Sequence, residues 1–147
     1  ALSMIRSIGE ITNRTLLADL LLREISMSLE SLPSFPIKKV AYLIWKNPFM
    51  AAGGNTYIND MLGLCGFENI FKDRLRYPII SLQDMTEADY LLLSSEPFSF
   101  NDDDIDFFNQ QFSEKRAIFV DGRIFSWYGS HIKYAADYFK QLRKVLK

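Results

Sequence analysis

The sequence predicts an α/β fold: a mostly parallel sheet flanked by helices, preceded by a long linker helix. Three observations carry that expectation. From Val40 onward, apolar runs alternate with capped or amphipathic segments in the order strand, helix, strand, helix, strand, helix. The apolar runs are nearly continuous, as strands covered on both faces are. Ahead of them, Leu17, Leu20, Leu21, Ile25 and Leu29 recur at spacings of three and four, the mark of an amphipathic helix.

Taken in order, residues 2–9 read as the end of a helix stopped near Gly9. Asn13 then caps a new helix from Arg14 to Leu32, about 28 Å long at 1.5 Å per residue. Pro33-Ser34-Phe35-Pro36 is a stiff connector, both prolines having fixed φ and no donor. Lys39-Val40-Ala41-Tyr42-Leu43-Ile44-Trp45 is the first buried strand, Asn47-Pro48-Phe49 turns the chain, and Gly53-Gly54-Asn55 is a flexible turn. Ile58, Met61, Leu62 and Cys65 share one face of the next helix, with Gly66 as its stop. Asn69-Ile70-Phe71 reads as a short strand, Tyr77-Pro78 as extended, and Ser81 with Asp84 as a cap opening a short helix. Tyr90-Leu91-Leu92-Leu93-Ser94-Ser95 is the clearest strand. A helix from Asn101 to about Glu114 follows, then the strand Ala117-Ile118-Phe119-Val120-Asp121, a turn at Gly122-Arg123, and a last helix from Ser130 to Leu146.

Composition narrows the function. The 147 residues suffice for one α/β domain with a core, and 48% are apolar. Lys plus Arg is 17 and Asp plus Glu is 18, so bulk charge gives no reason to expect nucleic acid or an anionic membrane as partner. One cysteine and one histidine make no Cys/His metal cluster, and Cys65 reads as a buried thiol. Residues 1–12 carry no secretory signal pattern, and the run Leu16 to Leu22, cut by Asp19, falls far short of the roughly 20 residues a membrane helix needs. The opening Ala-Leu-Ser-Met-Ile-Arg reads as mid-domain helix, so the chain is expected to be part of something longer.

No constellation points to catalysis. Asp102-Asp103-Asp104 at a helix start suits capping and the macrodipole better than metal binding, because consecutive residues point in different directions. Gly53-Gly54-Asn55-Thr56 lacks the lysine and flanking hydroxyl of a phosphate loop. A phosphoryl receiver needs acidic residues where this chain has Trp45-Lys46 and Ser95-Glu96. His131 with Ser130 and Asp121 forms a triad only on paper, with no nucleophile elbow. In parallel sheets, ligands lie beyond the carboxyl ends of the strands, which here are residues 45–50, 96–100 and 121–128. Trp45, Phe49, Met50 and Trp127 stand out there, and Tyr77, Phe98 and Tyr128 add to them. Glu96, between a strand and Pro97, is equally suited to a ligand's polar group or to the backbone.

Together these stretches resemble the class III periplasmic binding proteins, receptors for vitamin B12, ferric siderophores and haem in which one helix rigidly joins two α/β lobes. The most specific stretch is Asn55 to Phe71, ending Cys65-Gly66-Phe67-Glu68-Asn69-Ile70-Phe71. Tyr77-Pro78 with Ser81, and Asp121-Gly122-Arg123-Ile124-Phe125-Ser126-Trp127-Tyr128-Gly129-Ser130, match later family motifs. Within the family it resembles the vitamin B12 receptors most. The resemblance implies that residues 1–36 are the end of an N-terminal lobe and the interlobe backbone helix. Residues 37–147 are then the C-terminal ligand-binding lobe.

It further implies a substrate-binding component of an ABC importer, in the periplasm, free or lipid-anchored. The cargo would be a cobalamin, ferric siderophore or haem-type complex, with no resident cofactor and no catalysis. Met50 takes the place of a ligand-facing aromatic, and Tyr77 that of a ligand-facing tryptophan. Trp45, Glu96, Phe98, Trp127 and Tyr128 complete the candidate set from their positions. The family docks on its permease through a glutamate, and here Gln83 stands at that position beside Asp84. A neutral amide makes no ion pair, so docking would fall to Asp84. With no N-terminal lobe ahead of Ala1, apolar surface is expected to lie open and to favour self-association. Two other classes share the same fold expectation: a small α/β enzyme with its site at the same strand ends, and an interaction module without a transport role.

Overall fold

The computed structural model describes residues 2–112 and 116–146. They form two compact units, one of Phe35–Phe125 and one made of the segments on either side of it. The first boundary falls inside the Pro33–Pro36 connector. The second places the last helix in the same unit as the first two.

The Phe35–Phe125 unit is built around β1 (Lys38–Trp45), whose residues Val40 to Ile44 are all buried. β1 pairs in parallel with β4 (Tyr90–Ser94), and β4 in parallel with β5 (Arg116–Val120), giving the expected parallel sheet. On its other edge β1 takes two short partners. β3 (Phe67–Asn69) lies parallel at its start, and β2 (Met50–Ala51) lies antiparallel at its end. β2 was not expected. The turn at Asn47–Phe49 reverses the chain at once, so that Met50 faces Trp45. β3 sits two residues earlier than expected, because the Asn69 carboxamide ends it by accepting the Phe71 N–H at 3.0 Å.

Alternation along the strands sorts the core. Ala41, Leu43, Leu91, Leu93 and Ala117 share one buried cluster with Ala51, Phe71, Ile80, Met85, Phe100 and Phe108. Fully burying each large member contributes about 1.5–3 kcal/mol. In the other register of the strands, Tyr42 packs its ring on Phe125 at 5.2 Å and shares a 3.0 Å hydrogen bond with the Ser94 hydroxyl.

The helices follow their caps. Thr56 opens α3 (Tyr57–Leu64), its side chain accepting the Asn59 N–H, and Gly66 at φ 73° ends the chain's helical course as expected. α4 (Asp102–Gln111) starts on a capping box in which Asn101 and Asp104 bond each other's backbone N–H. The acidic run is therefore a cap, and Asp104, 1% exposed, also pairs with Lys46. The expected end of this helix, Glu114, lies outside the described residues. Residues 122 and 123 do not merely turn the chain: they open the short helix α5 (Gly122–Ser126).

The other unit contains α1 (Leu2–Ile11), α2 (Thr15–Glu30), a 3₁₀ stretch Gly129–Tyr134 and α6 (Ala135–Val145). The single last helix expected from Ser130 thus begins as 3₁₀. Gly9 does not stop α1. It is buried inside it, where a Cβ would meet that of Ala18 at 2.4 Å, so its absence lets α2 approach. Asn13 is not a cap but the turn residue, at φ 53°, a conformation asparagine tolerates; Arg14 precedes α2 without a side-chain cap bond. The buried line of α2 runs through Ala18 and Ile25, while Leu17 and Leu20, expected inside, are exposed. Ser28 donates to the Lys133 carbonyl at 3.2 Å, and Lys140 to the Ser31 hydroxyl at 2.8 Å, tying α2 to the C-terminal segment. Among the described residues, no helix is long and apolar enough to cross a membrane.

Candidate functional site

The carboxyl ends of β1, β4 and β5 carry the candidate surface in the Phe35–Phe125 unit. Trp45 is the last residue of β1 and 39% exposed. Its indole N–H donates to the Asn47 carbonyl at 3.2 Å, which fixes the ring over the turn. Phe98, in the segment after β4, meets Trp45 edge to face at 5.4 Å and stacks in turn on Phe100 at 4.9 Å. Phe100 is buried in the core, so the chain of rings runs from the hydrophobic interior to the surface at the strand ends.

Met50 faces Trp45 across the hairpin and Ile79 on its other side. The segment 76–80 runs antiparallel to residues 49–53, held by Ala51 N–H to Pro78 O at 3.1 Å, Ile80 N–H to Phe49 O at 2.9 Å and Gly53 N–H to Arg76 O at 2.7 Å. That register sets Tyr77, half-exposed, opposite Ala52 and two residues from Ile79. Gly53 and Gly54 make it possible. A Cβ on Gly53 would lie 2.2 Å from the Arg74 carbonyl, and one on Gly54 would lie 1.6 Å from that of Lys72. The turn expected to be flexible is therefore clamped. The N–H groups of Gly53 and Gly54 are spent on the carbonyls of Arg76 and Arg74 and so are not free for a phosphate.

Glu96 is half-buried just after β4. The Ser94 hydroxyl donates to its carbonyl at 2.6 Å and accepts its N–H at 3.2 Å. Close by, Arg123 at the start of α5 grips Asp121 with a guanidinium fork, Nε to Oδ1 at 3.0 Å and Nη2 to Oδ2 at 2.8 Å. The Asp121 hydrogen bond and charge raise the Arg123 pKa, and Glu96 adds to the same field. This fork was missed in the sequence, although the Asp-x-Arg spacing after a strand was its signal. It also takes the Asp121 carboxylate away from any triad role.

The sequence candidates thus fall into groups. Trp45, Met50 and Phe98 come together, with Glu96 two residues along from Phe98 and Tyr77 on the adjoining ribbon. Trp127 and Tyr128 belong to the other unit, where both rings are about half-exposed. There Trp127 packs on His131 at 5.5 Å, and His131 on Tyr134 at 5.7 Å. His131 is half-buried beside them.

Gln83 is exposed at the start of a 3₁₀ turn, Gln83–Met85. Asp84 accepts from the Ser81 N–H at 2.8 Å and hydroxyl at 2.7 Å, and pairs with Arg74. The Ser81 bonds, then Arg74, hold its carboxyl down at about 2. The predicted Ser81–Asp84 cap is present, and it occupies the carboxylate that docking would require. Among the described residues, no three His, Cys, Asp or Glu side chains converge as a metal site.

No protein-family model and no curated protein matches the chain. Solved structures do. A possible iron-binding periplasmic solute-binding protein of Staphylococcus epidermidis superposes with a TM-score of 0.75 at 20% identity, over 99% of this chain and 61% of that one. The periplasmic heme-binding protein HutB of Vibrio cholerae gives 0.72 at 20%, over 99% and 62%. An ABC-type Fe3+-hydroxamate transport protein of Saccharomonospora viridis gives 0.69 at 15%, over 98% and 54%. The chain therefore has the fold of the periplasmic binding proteins, and it spans about 60% of the length of the first two.

Proposed function

We propose that this chain is the C-terminal lobe, residues 37–147, with the interlobe helix in residues 1–36, of an extracytoplasmic substrate-binding protein that feeds an ABC importer. The cargo is a metal complex: a haem-type iron complex, a ferric siderophore or a cobalt corrinoid. The role is binding, not catalysis. One observation carries the reading: a chain of aromatic rings, Phe100 to Phe98 to Trp45, leads out of the core to the ends of neighbouring parallel strands, where such sheets take their ligands. Met50, Tyr77 and Glu96 extend that surface. Flat rings bury a large apolar ligand face at little conformational cost. The similar structures support the reading through what they are described as binding: iron, heme and Fe3+-hydroxamate.

Permease docking is proposed on the surface around Gln83. Asp84 is already held by Ser81 and Arg74, so a docking cation would have to displace Arg74 or donate hydrogen bonds to the neutral Gln83 amide oxygen. The test is a titration of the full-length protein, both lobes present, with haemin, a ferric hydroxamate and cyanocobalamin, followed by tryptophan fluorescence. Saturable quenching by one of them at micromolar affinity, lost in Trp45→Ala with Phe98→Ala, is the expected result. Silence towards all three rejects the reading.

A further inference from the structure

Ile79 is 65% exposed on the ribbon that pairs with β2. A lone exposed aliphatic residue is ordinary, but the register gives this one neighbours. The Ile80 N–H to Phe49 carbonyl bond at 2.9 Å and the Ala51 N–H to Pro78 carbonyl bond at 3.1 Å flank the Met50–Ile79 bridge. Met50 and Ile79 are therefore a non-hydrogen-bonded antiparallel pair, the kind whose side chains lie closest. Ala51 and Ile80 belong to the buried core, so alternation turns Met50, Ile79 and Tyr77 to the opposite face. On its other side Met50 pairs with Trp45, which meets Phe98 edge to face at 5.4 Å. Trp45, Met50 and Ile79 thus form one row across three paired segments, about 10 Å wide at the usual inter-strand spacing. Tyr77 stands beside Ile79, and Phe98 beyond Trp45.

None of these five side chains carries a charge. The Trp45 indole N–H is spent on the Asn47 carbonyl, which leaves the Tyr77 hydroxyl as the strong polar group of the strip. Such a surface cannot replace the hydrogen bonds to water that a polar ligand gives up on binding. It rewards a ligand that lays apolar area on it. Resting on the binding-protein reading, we propose that Ile79 contacts the cargo, and that the strip selects a planar macrocycle with an uninterrupted apolar face. A ferric hydroxamate, with its oxygen-wrapped metal and amide linkages, and a corrinoid, with amides around its ring, lose more hydration than the strip returns. The contact is with the face of the ring and not with its metal, so a metal-free porphyrin is a sufficient probe.

The experiment titrates the full-length protein, both lobes present, and its Ile79→Thr and Ile79→Glu variants with metal-free protoporphyrin IX, haemin, cyanocobalamin and a ferric hydroxamate, recording visible absorption and tryptophan fluorescence. Threonine keeps the β-branched shape that a strand favours and removes apolar area, so Ile79→Thr tests contact without disturbing the ribbon. The expected result is saturable binding of protoporphyrin IX and haemin by the wild type. Ile79→Thr weakens both about tenfold, the worth of about two buried methylenes, and Ile79→Glu weakens them further. Thermal unfolding of Ile79→Thr coincides with that of the wild type, because the side chain it replaces is exposed. Equal porphyrin affinity in the wild type and both variants overturns the inference and leaves the binding reading standing. So does binding of haemin without the metal-free ring, or of cyanocobalamin or the ferric hydroxamate in place of both porphyrins. No binding of any of the four overturns both.

Discussion

Gly54→Ala is the substitution whose cost the structure fixes most directly. The added Cβ would lie 1.6 Å from the Lys72 carbonyl oxygen, whereas ordinary contact begins at 3.4 Å. The opposing atoms are backbone, so no side chain can swing aside. Segment 72–76 would have to retreat by about 1.8 Å, the difference between those two distances. The Gly54 N–H to Arg74 O bond at 2.8 Å and the Gly53 N–H to Arg76 O bond at 2.7 Å cannot survive such a shift. Overpacking of this kind costs about 1–3 kcal/mol, and each of the two hydrogen bonds about 1 kcal/mol, so the expected loss is about 3–5 kcal/mol. For a chain of this size that lowers Tm by about 6–20 °C.

Gly63→Ala is the internal control. A Cβ there meets nothing within 4 Å, and the position is helical. The same substitution should therefore stabilise by about 0.5–1 kcal/mol. Urea and thermal unfolding followed by circular dichroism compare the two variants. Because the clamp also sets Tyr77 on the ribbon beside Met50, Gly54→Ala should weaken cargo binding as well. If Gly54→Ala unfolds with the wild type, or the two variants change stability in the same direction, the close approach is not what organises this surface.

Three further outcomes are expected. Asn69→Ala should cost about 2–4 kcal/mol in urea unfolding. Asn69 is 3% exposed and donates to the Ala52 carbonyl at 2.9 Å and to Asn59 Oδ1 at 3.1 Å, so truncation strands buried polar groups. Lys46→Met should cost about 2–4 kcal/mol, because it leaves the buried Asp104 carboxylate with only its capping bonds, whereas Lys46→Met with Asp104→Asn together should cost less than their sum. Asp84→Asn should cost about 1 kcal/mol at pH 7, exposed pairs being worth little. Its carboxyl is held low when folded, so the wild type's advantage is complete above its ordinary value of 3.8 and fades as pH falls towards about 2, where unfolding curves of the two proteins should coincide.

The strands and caps were legible because they rest on local physics. Continuous apolar runs mark β1, β4 and β5, and the Asn101–Asp104 box is written in adjacent residues. What was not legible depends on residues far apart in sequence. Gly53-Gly54 reads as flexible until the backbone of residues 72–76 lies on it. Gly9 reads as a helix stop until Ala18 is seen against it. β2 is two residues long, too short for any period to show. The apolar stripe of α2 was read correctly as amphipathic, but spacing alone does not say which edge of a stripe is covered, and Ala18 rather than Leu17 proved to be inside.

The same distinction bears on the candidate site. Strand order alone pointed to the turns at 45–50 and 96–100, because a parallel sheet collects its carboxyl ends on one edge whatever the side chains are. What order could not supply is which rings touch. Trp45 and Phe98 are 53 positions apart by numbering yet 5.4 Å apart by ring centre, a contact set by the in-register pairing of Leu43 with Leu93. That register is locked by burial, since a slip of one residue would turn Leu91 and Leu93 off the face they share with Phe108. The aromatic surface is thus a consequence of the core. Truncating Phe100, which joins the two, should disturb stability and cargo binding together, whereas truncating Trp45 should disturb binding with little loss of stability.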